Sequence, residues 1–209
     1  NLGDWQDFDK EWTEIIASFP RGELRDYLEL ISKSEVKIAV KPQYVDKLPK
    51  LWDGEVRGLL QKVDDRGRLE EFAEITSIEH ILERKLSGLS GGELQRVAIC
   101  ATILKEADVY FFDEPSSYLD IHERMRVVSI IQSLVEDGKR IIVIEHDLAI
   151  LDVLCDLVHI VYGQRAAYGI FTPPRTTRTA INAYLDGYLN EENVRIRDKP
   201  ISLDRKSTR

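Results

Sequence analysis

Two uninterrupted apolar runs constrain the fold of this 209-residue chain more than any other feature. Residues 109–112 and 141–144 are apolar at successive positions rather than at alternate ones, a pattern typical of strands that are buried on both faces of a parallel sheet. Between them, residues 121–136 are predicted to form a helix, with Asp120 as its N-cap and Gly138 just past its end. A strand, a helix and a second parallel strand make a right-handed βαβ unit. We therefore expect an α/β fold with a parallel sheet at its core.

Composition narrows the class of protein. The 37 acidic side chains outnumber the 29 basic ones, giving a net charge of −8, which argues against broad binding along a phosphate backbone. The longest nearly apolar stretch, residues 97–104, is far shorter than the roughly 18 residues needed to cross a bilayer. We therefore expect no membrane-spanning segment. We also expect a cytoplasmic protein without a membrane partner.

The two cysteines, Cys100 and Cys155, lie in separate apolar runs without Cys-x-x-Cys spacing. This arrangement indicates buried reduced thiols and no zinc or iron–sulfur site within the chain. Residues 195–209 carry six basic side chains and two acidic ones. Both a solvated linker and a local contact with RNA fit that tail.

The remaining elements follow from periodicity and from turn residues. In chain order they are a helix-loop-helix at 9–32 broken by Pro20-Arg21-Gly22, a strand at 37–40 that stops before Pro42, mostly helical segments at 55–63 and 68–84, a hairpin of 157–162 and 166–171 that turns at Gly163-Gln164, and a helix at 177–185.

Polar side chains follow both apolar runs at the point where each predicted strand ends. Asp113 and Glu114 close the first run, and Glu145 and His146 close the second. Ligands of open parallel sheets bind beyond the carboxyl ends of the strands. The first carboxylate of such a pair can hold Mg²⁺, and the second can orient or deprotonate a water that attacks a phosphate. The alternative is a pair of solvated acids at a strand end.

A glycine-rich helix start precedes these strands. Ser90 is a candidate N-cap, with Glu93 at capping-box spacing and Gly91 and Gly92 between them. Two glycines in a first helical turn cost stability, a cost explained if a ligand approaches the backbone closely, and the free N–H groups of a helix N-terminus bind anions. A glycine-rich turn before an ordinary helix is the other interpretation.

Together with Gln43, these segments resemble the ATP-binding cassette ATPases. In that family's order, Gln43 matches the Q-loop glutamine, 89–93 the signature motif, 109–114 the Walker B strand, 117–120 the D-loop and His146 the switch histidine. The segments 89–96, 112–120, 145–148 and 184–198 are similar, more narrowly, to the first nucleotide-binding domain of the E subfamily, the ribosome-recycling ATPases also called RNase L inhibitors.

The resemblance implies a domain organisation. It predicts a nucleotide-binding domain over 1–187, containing a helix-loop-helix insertion at 9–32, a helical and signature subdomain at 54–105 and a Walker B and switch core at 106–187, followed by a hinge at 188–209 toward a second nucleotide-binding domain.

The resemblance also implies roles for individual residues. Glu114 and His146 would be catalytic, and Asp113 and Gln43 would bind ATP and Mg²⁺. The residues that would bind nucleotide at the ATP site completed by the second domain are Ser90, Gly91, Gly92 and Glu93. Asp120, also among the nucleotide-binding residues, would signal across the interface between the domains.

The implied partners are the second nucleotide-binding domain of the same protein, the small ribosomal subunit with its rRNA and proteins, contacted through the helix-loop-helix and the hinge, and a release or rescue factor. No phosphate-loop motif, Gly-x-x-x-x-Gly-Lys-Ser/Thr, occurs in the sequence. The resemblance places that loop and an iron–sulfur domain upstream of residue 1. We therefore expect this chain to be part of a longer ATPase and to be inactive alone.

Three alternatives differ in functional class. An ATPase subunit of a membrane transporter would carry the same five motifs. A repair or chromosome-maintenance ATPase would insert long coiled-coil arms between the Q-loop and the signature, and too few residues separate Gln43 from Leu89 for such arms. A non-catalytic binding module would describe the isolated chain rather than its parent.

Overall fold

The computed structural model describes residues 16–33, 36–164 and 167–201. The chain divides into two compact units, with the division after Ile150. The first unit contains a three-stranded parallel sheet, and the second contains pairs of short antiparallel strands.

The elements of the described residues are as follows. The helices are α1 (Glu23–Ser32), α2 (Leu48–Leu51), α3 (Val56–Val63), α4 (Leu69–Ile75), α5 (Gly91–Ile103), α6 (Ile121–Glu136), α7 (Leu148–Leu154) and α8 (Thr177–Asp186). Short 3₁₀ turns occur at Val45–Lys47, Glu79–Ile81 and Leu86–Gly88. The strands are β1 (Ile38–Lys41), β2 (Val109–Asp113), β3 (Arg140–Ile144), β4 (Leu157–Val158), β5 (Val161–Gln164), β6 (Tyr168–Phe171), β7 (Arg175–Thr176), β8 (Tyr188–Leu189) and β9 (Val194–Arg195). Each described helix is too short or too polar to cross a membrane.

The parallel sheet confirms the α/β expectation. Its order is β1-β2-β3, and Phe111 of the central strand lies opposite Val40 on one side and Ile142 on the other. Tyr110 and Phe112 are completely buried on one face, where α5 contacts β1 and α6 contacts β3. Because all three strands run in the same direction, their carboxyl ends meet at one edge.

The other face of the sheet corrects the expectation that both faces are buried. Its apolar side chains Ile38, Val40, Ile142 and Ile144 are 47, 51, 51 and 48% exposed. The described residues of the same unit leave these four side chains about half exposed. An apolar run shows that burial is favourable, but burial itself also needs a packing partner.

The helix boundaries follow local capping, and one prediction was too long. Asp120 Oδ1 accepts a hydrogen bond from the Glu123 N–H at 2.9 Å, which confirms the predicted start of α6. The helix predicted over 68–84 instead ends with α4. The Thr76 hydroxyl donates to the Phe72 carbonyl at 2.6 Å, and Ser77 then adopts φ 52°. This local bonding competes with helix continuation.

The predicted hairpin turn was displaced. Gly163 lies inside β5, opposite Gly169 of β6. The strand predicted over 157–162 is divided between β4, which pairs with β7, and β5, which pairs with β6. A Cβ at Gly163 would lie 2.1 Å from the Tyr168 carbonyl oxygen. This glycine therefore marks a close approach between strands and not a turn.

The helix-loop-helix prediction is confirmed for its second helix, which is α1. The first helix falls mostly on residues 1–15, which lie outside the described part of the chain, as do the last residues of the basic tail.

Truncation of Ile131 tests the packing of α6 against the sheet. The Ile131 side chain is 1% exposed, so Ile131→Ala should lower the free energy of unfolding by about 2–5 kcal/mol. Val135 on the same helix is 55% exposed, and Val135→Ala should change it by less than about 0.5 kcal/mol. Chemical denaturation measures both values, and equal losses would contradict this packing.

Candidate functional site

The carboxyl edge of the parallel sheet brings four of the predicted site residues together, namely Gln43, Asp113, Glu114 and His146. β2 ends at Asp113, and Glu114 follows in the left-handed region with φ 47°. The Glu114 N–H donates to the Ile144 carbonyl at 2.8 Å, which ties this residue to the end of β3. A left-handed conformation costs a residue with a Cβ roughly 1–2 kcal/mol, so its surroundings must hold it in place.

The Glu114 carboxylate is the centre of this cluster. Gln43 Nε2 donates to its Oε1 at 2.9 Å, and the Ser117 hydroxyl donates to its Oε2 at 3.1 Å. His146 Nδ1 lies 3.8 Å from Oε1. The side chains of Glu114 and His146 are 27% and 72% exposed. The acid is therefore held on one side by the protein and remains open to a small molecule on the other.

Asp113 and Gln43 fit a divalent cation by their chemistry. Burial raises the pKa of Asp113, and the neighbouring Glu114 raises it further, so a cation here would relieve the repulsion between two adjacent acids. Gln43 uses its amide nitrogen to bond Glu114, which leaves its amide oxygen for a metal. Mg²⁺ prefers such oxygen ligands and is commonly held by one or two carboxylates together with substrate phosphates.

Sequence analysis missed Lys41, which lies behind the Glu114 turn. Its side chain is completely buried, and Nζ donates to the carbonyls of Asp113 and Glu114 at 2.8 and 3.2 Å. Burial lowers the pKa of Lys41 to about 8, against the opposing effects of Asp113, Glu114 and Glu145. The signal in the sequence was a lysine at the buried-face position of an apolar strand.

Gln95 was also missed. It lies on α5 and is completely buried, and its Nε2 donates to the carbonyls of Glu114 and Pro115 at 2.7 and 2.9 Å. α5 therefore contacts the main chain of Glu114 directly.

Glu145 is a third residue whose contacts sequence analysis did not foresee. It was placed at the carboxyl edge of the sheet, but its carboxylate was given no role. Its side chain is completely buried. Oε1 accepts the Ser116 N–H at 3.1 Å, and Oε2 accepts the N–H groups of His146 and Asp147 at 2.9 and 3.3 Å. One carboxylate thus joins the loop after β2 to the loop after β3.

The predicted capping box at the start of α5 is present. Ser90 Oγ accepts the Glu93 N–H at 3.3 Å, and Glu93 Oε2 accepts the Ser90 N–H at 2.7 Å. Arg84 Nη1 lies 2.9 Å from Glu93 Oε1. Ser90 is exposed, so this helix tip is available to a partner.

The two glycines of the helix tip have a cause inside the domain. A Cβ at Gly91 would lie 3.2 Å from the Tyr118 ring, and a Cβ at Gly92 would lie 3.0 Å from the Tyr118 carbonyl oxygen. Asp120, two residues after Tyr118, uses its carboxylate to cap α6, and the bond to the Glu123 N–H lowers its pKa. The helix tip and Asp120 thus form a second group around Tyr118, beside the first group around Glu114.

The pH dependence of stability tests the capping box. The hydrogen bond from the Ser90 N–H is the main cause that lowers the pKa of Glu93 below its ordinary 4.5. The unfolded state therefore binds more protons, and the stabilisation by Glu93 is present above the ordinary value and is lost as the pH falls through the folded-state value. The difference in unfolding free energy between wild type and Glu93→Gln should be constant above about pH 5 and shrink below it. A difference that does not change with pH would contradict the capping box.

Comparisons with known proteins identify relatives of this sequence. The sequence model of the family described as ABC transporter matches residues 16–117. ABC transporter E family member 1 of Arabidopsis thaliana is 42% identical over 193 residues, which cover 92% of this chain and 32% of that protein. Translation initiation factor RLI1 of Saccharomyces cerevisiae is 41% identical over 212 residues, which cover 97% of this chain and 34% of that protein.

A solved structure shares the fold of this chain. A chain in the crystal structure of the complex of archaeal ribosomal stalk protein aP1 and archaeal ribosome recycling factor aABCE1 superimposes with a TM-score of 0.89 at 48% identity, covering 96% of this chain and 39% of that one. The present chain spans about a third of the length of the two curated relatives. Identity at this level along nearly the whole chain, on the same architecture, establishes that the chain belongs to the E-type ATP-binding cassette proteins, the family of ABCE1 and RNase L inhibitor.

Proposed function

We propose that this chain is part of a twin-cassette ATPase that splits ribosomes into subunits, and that Glu114 activates the water for ATP hydrolysis. The observation that carries the proposal is the Glu114 carboxylate at the sheet edge, 2.9 Å from Gln43 Nε2 and 3.8 Å from His146 Nδ1. Relatives named as a translation initiation factor and a ribosome recycling factor support the ribosomal role.

In the proposed reaction, Glu114 orients and polarises the water that attacks the γ-phosphate. An ionised carboxylate has about four acceptor sites, and Gln43 and Ser117 occupy one on each oxygen. The remaining sites can accept hydrogen bonds from the water. The exposed imidazole of His146 donates to a γ-phosphate oxygen and stabilises the negative charge that grows during transfer.

Mg²⁺ would be held by Asp113 and by the Gln43 amide oxygen. When bound, it would neutralise phosphate charge during transfer. Gln43 would then link the cation site to Glu114, because its nitrogen bonds the carboxylate.

The exposed tip of α5 would serve a second ATP site. Ser90, Gly91 and Gly92 would contact the nucleotide of the second nucleotide-binding domain, since a helix N-terminus favours anions. Glu93 and Asp120 would keep this tip and the loop beside it in place. ATP would close the two domains on each other, and hydrolysis would reopen them.

The remaining assignments complete the proposal. Residues 1–187 would be the nucleotide-binding domain, with the helix-loop-helix at 9–32, the signature subdomain at 54–105 and the Walker B and switch core at 106–187, and residues 188–209 would be the hinge. The helix-loop-helix and hinge would contact the rRNA and proteins of the small ribosomal subunit, and a release or rescue factor would act with the whole protein in the cytoplasm. Iron–sulfur clusters would belong to the parent protein outside this chain.

Replacing Glu114 by glutamine tests the hydrolytic role. In the full-length protein, Glu114→Gln should trap bound ATP and the closed form, because the amide cannot activate water but leaves the nucleotide contacts in place. Nucleotide retention after rapid filtration measures trapping. Glu136→Gln at the exposed end of α6 is the matched control and should behave as wild type. Wild-type turnover and normal nucleotide release by Glu114→Gln would remove Glu114 from this role.

Nucleotide affinity tests the expectation that the chain acts only as part of a longer protein. The isolated 209-residue chain should bind ATP poorly and hydrolyse none, because it contains no phosphate-loop motif. Isothermal titration calorimetry of the chain and of the full-length protein gives the comparison. Micromolar affinity of the isolated chain would contradict the expectation.

A further inference from the structure

We propose that two completely buried charged side chains, Lys41 and Glu145, are positioning residues for hydrolysis, because they hold the main chain of the Glu114 turn from opposite sides. The proposal rests on the proposed role of Glu114. Lys41 is the last residue of β1 and Glu145 follows β3, so the two sets of hydrogen bonds come from the strands on either side of β2.

The turn needs such support because it is unfavourable by itself. Glu114 adopts φ 47°, and a conformation of this kind persists when surrounding contacts over-determine it. The direction of the Glu114 carboxylate depends on this backbone. A relaxation of the turn to negative φ would move the carboxylate away from Gln43 and His146.

Lys41 supplies donors on one side of the turn. Nζ bonds the carbonyls of Asp113 and Glu114 at 2.8 and 3.2 Å, and the Lys41 residue has no surface exposed to solvent. Lysine is almost never fully buried without partners. A methionine at this position would fill a similar volume but would leave both carbonyls without that donor.

Glu145 supplies acceptors on the other side. Three N–H groups, those of Ser116, His146 and Asp147, converge on its two oxygens. Glutamine has the same shape but has only one oxygen, so its NH₂ group would face either the Ser116 N–H or the other two. Glu145→Gln therefore loosens the join between the Glu114 loop and the His146 loop without removing any group that touches ATP.

Gln95 completes the support from α5. It donates to the Glu114 and Pro115 carbonyls, and its own oxygen has no hydrogen-bond partner among the described residues. Because Gln95 is neutral, the charged contributions to the turn come from Lys41 and Glu145.

The test measures ATP hydrolysis by the full-length protein. The catalytic glutamate of the second cassette is replaced by glutamine in every variant, so that only the site of Glu114 turns over. Lys41→Met and Glu145→Gln are each made with and without Glu114→Gln. The matched control is Thr102→Val, since Thr102 is buried on the same helix as Gln95 but its hydroxyl bonds the Ala98 carbonyl within that helix. We measure kcat, KM for ATP and the thermal midpoint.

Lys41→Met and Glu145→Gln should each lower kcat by at least about tenfold, because small displacements of a reacting group cost this much or more, while KM changes by less than about threefold. Lys41→Met should not lower the residual rate further when Glu114→Gln is present, because Lys41 acts through Glu114. Glu145→Gln should lower that residual rate by less than it lowers the rate with Glu114 intact, because Glu145 also holds the His146 loop. Thr102→Val should retain the wild-type kcat. If Glu145→Gln does not fold, Glu145→Asp takes its place, since it keeps the charge and shortens the reach, and the same loss of kcat is expected.

Wild-type kcat in the Lys41 and Glu145 variants, beside a Glu114→Gln variant that has lost hydrolysis, would overturn the inference and leave the proposed function intact. A full additional loss on the Glu114→Gln background, by either variant, would also overturn it, because that residue would then act independently of Glu114. Wild-type hydrolysis by Glu114→Gln would instead overturn the proposed function.

Discussion

The hydrogen bond from the Glu114 N–H to the Ile144 carbonyl extends the pairing of β2 and β3 one residue past the end of β2, at the point where the chain turns into a left-handed conformation. The candidate site depends on this turn. Its cost, of order 1–3 kcal/mol, is offset by donors and acceptors that reach the same main chain from β1, β3 and α5. Two of these groups are buried charges, Lys41 and Glu145, which are costly unless they are fully paired. Their hydrogen bonds to the turn supply that pairing, so the buried network and the partly exposed Glu114 carboxylate stabilise each other.

The same turn links the two groups of candidate residues. Gln95 joins α5 to the Glu114 carbonyl, and Tyr118 lies against Gly91 and Gly92 at the start of that helix. The helix tip, the loop before α6 and the Glu114 turn are therefore in continuous contact inside one compact unit. In the proposed two-domain ATPase, such contacts would let a change at one composite site alter the geometry of the other.

Sequence reasoning recovered the features that depend on local chemistry. The apolar runs located β2 and β3, the Ser90 and Glu93 spacing located the helix start, and Asp113, Glu114 and His146 were placed at one edge because parallel strands end together. It could not recover what depends on tertiary packing. A lysine at the buried-face position of a short strand is unusual, but its position does not show that its ammonium will bond two carbonyls. Apolar side chains likewise carry no sign of whether a layer covers them. Ile142 and Ile144, which are about half exposed, and Lys41, which is completely buried, are examples of positions whose burial the sequence did not predict.

The most direct test of the account is a high-resolution structure of the full-length protein with Mg²⁺ and a non-hydrolysable ATP analogue. The account predicts a water within about 3 Å of the Glu114 carboxylate and in line with the γ-phosphate, with Glu114 still at positive φ and Lys41 still bonded to the Asp113 and Glu114 carbonyls. A nucleotide bound with its γ-phosphate remote from Glu114, or a Glu114 turn that has relaxed to negative φ with Lys41 released, would contradict it.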